Sequence, residues 1–233
     1  MSKITNTLRT IIEKLEAAYG APPAPRITDP FEMILHENIV YLADDARRDR
    51  AFDELRRTVG TRPADILTAA PSRLNEISEL GGINRQGQVE KLVKAAQIAL
   101  HSFGGDLRAV IKRPPDQARA ALKKFPGIGD PGAEKILLFN KKLPVLALES
   151  NGLRVLLRVG FGKEVANYAA SYRSVQQAVA HELPKDCDWI VKAHQLLRQH
   201  GKELCKRTKP NCGRCPLEEQ CSHRQNELRT FGQ

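Results

Sequence analysis

Four of the five cysteines, Cys205, Cys212, Cys215 and Cys221, lie in GKELCKRTKPNCGRCPLEEQC, at the spacing C-x6-C-x2-C-x5-C. Thiolates are soft ligands that take zinc or iron–sulfur clusters. Structural zinc usually draws on two short cysteine pairs, and only Cys212 and Cys215 form one here. One close pair flanked by two more distant cysteines suits a [4Fe–4S] cubane, which takes four thiolates, better than a zinc ribbon. Zinc and unmetallated thiols are the remaining readings. Cys187 stands apart as a spare thiol. Arg198, Lys202, Lys206, Arg207, Lys209 and Arg214 crowd the same stretch, either as a solvated basic face or as phosphate contacts beside the cysteines.

A second constellation reads ALKKFPGIGDPGAEKILLF. A helix should end near Phe125, turn through Pro126, Gly127, Ile128 and Gly129, and restart with Asp130 as N-cap and Pro131 as first helical residue. The two glycines permit a tight turn and let backbone amides approach another surface. With the following helix N-terminus, those amides make a site suited to phosphate, and Ile128 should fill the small core between the helices. A plain helix–turn–helix corner is the other reading.

These groups must be held by helices, because the apolar spacing is helical almost throughout. Ile4, Leu8, Ile11, Ile12, Leu15 and Tyr19 share one face of a helix over 4–19. GAPPAPRITDP then breaks the chain. Further helices are expected near 31–43, 48–59, 71–79, 88–102, 116–124, 132–140, 151–159, 164–181 and 187–200, and no strand. At 233 residues with 41% hydrophobic content, the chain is long and apolar enough to bury a core. No run approaches a membrane span, and the N-terminus mixes charge with apolar residues unlike a secretory leader. Cytoplasmic location, nucleoid-associated if bacterial, is the expectation, and disulfides are a poor default. The charge of +10 suggests a polyanionic partner, while 5% aromatics argue against binding single strands by stacking alone.

Together the two motifs resemble the endonuclease III and MutY group of DNA glycosylases. LKKFPGIGDPGAEKILLF looks like the group's helix–hairpin–helix, and the cysteine spacing is that of its C-terminal [4Fe–4S] loop. HQLLRQHGKELC looks like the lead-in helix, and LALESNGLRVLLRVG is similar to the segment carrying the catalytic aspartate. The resemblance runs from about residue 28 to 221. It implies an all-α fold of two helical domains: a six-helix domain over 28–143, and a cluster domain built from 1–27 and 144–233. It also implies that duplex DNA lies across a cleft with the damaged nucleotide flipped into it.

The departures decide the chemistry. Aligned on PGIG, the Schiff-base lysine of bifunctional members is Pro131, which has no side-chain amine. Lys135, one turn on, should point away from the cleft. The catalytic aspartate falls on Glu149, which keeps the carboxylate but adds a methylene. Glu149 would either stabilise an oxocarbenium-like centre or merely favour the start of a helix at Ser150. Glu37 and Asn38 in ILHENIVYLADD fall near the group's polar wedge, where an acid would be repelled by phosphates. In LGGINRQGQVEKL, Asn84, Arg85 and Gln86 are candidates to enter the duplex. His36 and His194 read as packing residues. The implied activity is a monomeric DNA glycosylase acting on a damaged or mispaired base without efficient lyase activity. The alternatives are a non-catalytic DNA-binding relative and an iron–sulfur redox protein, the latter leaving the hairpin unexplained.

Overall fold

The computed structural model describes residues 7–40, 43–81 and 85–231; for Arg85, Gln86, Glu227, Thr230 and Phe231 only the backbone is described. All regular structure among the described residues is helical, and no described helix is long and apolar enough to cross a membrane. The chain folds into two compact units, one of residues 1–24 and 143–233, the other of residues 25–142.

The first unit contains α1 (Leu8–Tyr19), α9 (Ser150–Val159), α10 (Tyr168–Val179), α11 (Cys187–Glu203) and α12 (Ser222–Phe231). Thr7 caps α1, its hydroxyl accepting from the Thr10 amide at 3.2 Å. Leu8, Ile11, Ile12 and Leu15 form the buried stripe anticipated from their spacing. They pack toward α11, which in turn lies along α9 and buries Ile190, Ala193, Leu196 and Leu197. The two helices approach closely where Gly201 meets Asn151: a Cβ on Gly201 would lie 2.6 Å from the Asn151 carbonyl oxygen. Only glycine fits there, so the HG step before Cys205 is a packing requirement. α10 starts four residues later than its periodicity suggested. Ser171 and Ser174 hydroxyls accept from the amides of Val165 and Lys163, holding 163–167 outside the helix.

The second unit contains α2 (Pro30–Asn38), α3 (Asp45–Thr58), α4 (Pro63–Thr68), α5 (Pro71–Glu79), α6 (Arg85–Phe103), α7 (Pro115–Leu122) and α8 (Asp130–Phe139). The long α6 is central and packs against α2, α4 and α5. It turns Leu92, Ala95, Ala96 and Ala99 inward, and the three alanines let its neighbours come close. Proline opens four of the surrounding helices at their first position, where its missing amide leaves no bond unmade. Sequence periodicity passed over α4 and α12. α4 has six residues, too few for a repeating face, and α12 has low amphipathicity.

Candidate functional site

The hairpin between α7 and α8 has the anticipated form with two corrections. Ile128 is 6% exposed, while Gly127 and Gly129 face solvent. Neither glycine amide donates a hydrogen bond among the described residues. Pro126 closes the turn, and its carbonyl accepts from Asn38 Nδ2 at 2.8 Å. The first correction concerns the cap: Gly129 occupies the N-cap position and Asp130 is already helical. Its carboxylate instead pairs with Lys123 at 2.6 Å across the turn. The second concerns the glycines. Gly127 has φ of +72°, and a Cβ there would meet Asn38 Oδ1 at 2.7 Å. Gly129 has φ of −93°, and its Cβ would find Pro131 Cδ no nearer than 3.8 Å.

The two positions therefore answer to different demands. Gly127→Ala should cost about 1–2 kcal/mol in chemical unfolding, from the left-handed backbone, before its overlap with Asn38 is counted. Gly129→Val should cost no more than about 1 kcal/mol, because valine is a poor N-cap, and weaken duplex binding at least tenfold, since only an external surface would meet the new side chain. Wild-type affinity for Gly129→Val would show that the turn faces away from its ligand.

α2 holds this hairpin from behind. Asn38, 2% exposed, spans the Ile34 and Pro126 carbonyls with one amide group, so it is not free to enter a duplex. Glu37 pairs with Lys135 on α8 at 3.0 Å, and that ammonium is the main reason its carboxyl is pulled down to about 2. The acid that looked misplaced is thus neutralised within the unit, and Lys135 is committed to it. A depressed carboxylate lends stability above its ordinary pKa and loses it as pH falls toward the folded value. The stability gap between wild type and Glu37→Gln should be full at neutral pH and close between about pH 4.5 and pH 2, read by denaturant titration. A gap independent of pH would mean the ion pair contributes nothing. His36 bonds Asp49 at 2.9 Å, and buried His194 bonds the Ala147 carbonyl oxygen; both serve packing. Asn84 lies outside the described residues, and Arg85 and Gln86 open α6.

Glu149 sits at the N-cap of α9. Its Oε1 accepts from the Gly152 amide at 2.7 Å and its Oε2 from Asn151 Nδ2 at 2.7 Å. Asn151 Oδ1 accepts in turn from Arg154 Nη2 at 2.8 Å. Arg154 also donates to the carbonyls of Gly201 and Cys205, both at 2.8 Å. The carboxylate is fixed at both oxygens, and the cysteine segment anchors the residues that fix it. Tyr168, half-exposed, lies close enough to Glu149 that its hydroxyl, already raised by burial, is pushed up to about 12. Asn151, Arg154 and Tyr168 were not singled out from sequence. The ESNGLR run would have shown the first two as an i, i+2 and i, i+5 set facing one helix start.

Cys205, Cys212, Cys215 and Cys221 line one cavity with Arg158, Leu204, Pro210, Asn211 and His223. None is in a disulfide. Two donors aim at the sulfurs, Arg158 Nη1 at 3.3 Å from Cys205 and the Leu217 amide at 3.4 Å from Cys215, and His200 Nε2 lies 3.5 Å from Cys215 Sγ. Burial pushes the Cys215 thiol up to about 11, with the other three cysteines adding to it. Four thiolates are stable there only around a cationic centre. Four cysteines lining one cavity are a soft donor set for a thiolate-bound metal centre. Lys206, Arg207 and Lys209 are exposed on this segment, while the first two carbonyls accept from Arg158. Cys187 opens α11 and is not among the residues lining the cavity.

No protein-family model matches the chain. In sequence it is similar to endonuclease III of Thermotoga maritima, 26% identical over 213 residues, covering 91% of this chain and 92% of the relative. It is also similar to endonuclease III of Escherichia coli, 27% identical over 200 residues, covering 85% and 86%. In fold it is similar to an endonuclease III solved as a trapped covalent intermediate with DNA. The TM-score is 0.73 at 21% identity, over 96% of this chain and 100% of that one. Along nine-tenths of its length in sequence and along nearly all of it in fold, the chain is similar to endonuclease III.

Proposed function

We propose that this protein is a DNA glycosylase of base excision repair. It cleaves the N-glycosidic bond of a damaged or mispaired base in duplex DNA and leaves the abasic strand uncut. The observation that carries this reading is the state of the amines around the hairpin. A lyase needs an unencumbered amine to form an imine with the sugar. Pro131 offers none, Lys135 is paired with Glu37, and Lys123 is paired with Asp130. Glu149 supports the first half of the reading. A carboxylate held by two donors stabilises positive charge at the sugar as the base departs, or takes a proton from the attacking water.

DNA would be held by the amides of Gly127 and Gly129 and by Lys206, Arg207 and Lys209, with the target nucleotide flipped out of the stack. Asn84, Arg85 and Gln86 are the proposed inserting turn. Cys205, Cys212, Cys215 and Cys221 are proposed to hold a [4Fe–4S] cluster, which here supplies order to the segment and takes no part in bond cleavage. A second reading, a DNA-binding relative without catalysis, draws on one observation: Glu149 already has structural work as the cap of α9. Borohydride trapping on duplexes carrying damaged bases tests the amine argument. The expected result is no covalent protein–DNA adduct; a strong adduct that disappears in Lys135→Gln would overturn it.

A further inference from the structure

We infer that Arg113 and Lys124 form a second phosphate-binding pair beside the hairpin, mounted on Phe103 and directed at the duplex backbone. The inference rests on the DNA-binding part of the reading above and adds two contacts that the motif does not contain. In the 25–142 unit many basic side chains are already matched by acids, as in Arg56 with Glu32, Arg57 with Glu54 and Lys123 with Asp130. The Arg113 and Lys124 side chains are exposed, and among the described residues neither makes an ion pair or a hydrogen bond; only their backbone amides are bonded, to Val110 and Ala121.

What they do have is a shared ring. The Arg113 guanidinium carbon lies 5.6 Å and Lys124 Nζ 6.0 Å from the Phe103 centroid. Phe103 is itself stacked on Phe125, at 5.8 Å and 23° between planes. Phe125 is 2% exposed and directly precedes Pro126, so the platform is rooted in the core at the base of the hairpin. The electron-rich ring face attracts both cations and narrows their range of positions without neutralising them. Two long basic side chains are thereby partly ordered before a ligand arrives, which lowers the entropy lost on binding. Arg113 can grip a phosphate with two parallel donors and Lys124 adds a point charge. The free amides of Gly127 and Gly129 lie within five residues of Lys124, so this segment offers successive anion contacts, as a phosphodiester chain requires.

The experiment is a salt series on the full-length protein with a short unmodified duplex. Arg113→Gln with Lys124→Gln should flatten the slope of log K against log salt by about 0.9 per contact, roughly 1.8 for the pair. The charge-preserving exchange Arg113→Lys with Lys124→Arg should keep the wild-type slope. Visible absorbance of the metal centre and the unfolding midpoint verify that each variant is folded. A steep wild-type slope that the glutamine pair leaves unchanged would overturn this inference and leave the DNA-binding reading standing. A wild type whose duplex affinity does not respond to salt would overturn both.

Discussion

Glu149→Gln should lower base release by at least about a hundredfold while duplex affinity stays level or rises slightly, because a charge facing phosphate is removed. The substitution preserves size and leaves one oxygen to accept from the Gly152 amide, so the cap of α9 survives in part. The other terminus becomes an amide facing Asn151 Nδ2, two donors in one place. Asn151 must then turn over, which takes its oxygen away from Arg154. A loss of about 1 kcal/mol in stability is the expected side effect. If Glu149 does nothing but cap the helix, that stability loss will appear and base release will stay at the wild-type rate. Glu149→Asp separates the two roles further. Aspartate caps helices well, but it draws the carboxylate back by one methylene, and a displacement near 1 Å can cost on the order of a hundredfold in rate. A gain in rate would identify the glutamate as a handicapped version of the family's shorter acid. A loss would show that the pocket is built around the longer one.

The other large effect concerns the cysteines. The purified protein should be brown, with about four irons and four sulfides per chain. Cys212→Ser should lose the iron and disorder the segment that follows α11, and Cys187→Ser should change neither. The reason is the thin core of that segment. Between Cys205 and Cys221 only Leu217, Gln220 and Cys221 are buried, and its regular structure is two short 3-10 turns. Apolar burial cannot hold seventeen such residues against their conformational entropy, so the metal centre must. Because Arg154 bonds the Cys205 carbonyl and also the residue that orients Glu149, iron loss should lower base release as well. Stoichiometric zinc with no visible absorbance would contradict the assignment of the centre.

How far the sequence could be read depended on the range of the interaction. The cysteine spacing, the PGIG turn and the stripe of α1 are local patterns, and each was legible because neighbours along the chain set it. Buried Ile128 in the hairpin follows from the same kind of local geometry. What escaped were pairings across long separations. Lys123 takes Asp130 away from its cap by competing for the carboxylate over the turn. Glu37 finds Lys135 some hundred residues later, which turns an apparent conflict with DNA into an internal ion pair. Asn38, which the resemblance placed near a DNA-facing wedge, is drawn inward, where its amide donates to the Pro126 carbonyl. Arg154 was hidden for the same reason: the Gly201 and Cys205 carbonyls it bonds lie about fifty residues away.

The central claim is base excision without strand cleavage, and a single product gel tests it most directly. A duplex with a damaged or mispaired base, labelled on the target strand, is incubated with wild-type protein and divided. One half is loaded at once and the other after hot alkali, which breaks the strand at any abasic site. The account predicts full-length strand in the first lane and cleaved strand in the second, because Glu149 releases the base and Pro131 supplies no amine to finish the cut. Cleavage in the first lane, before alkali, would contradict it.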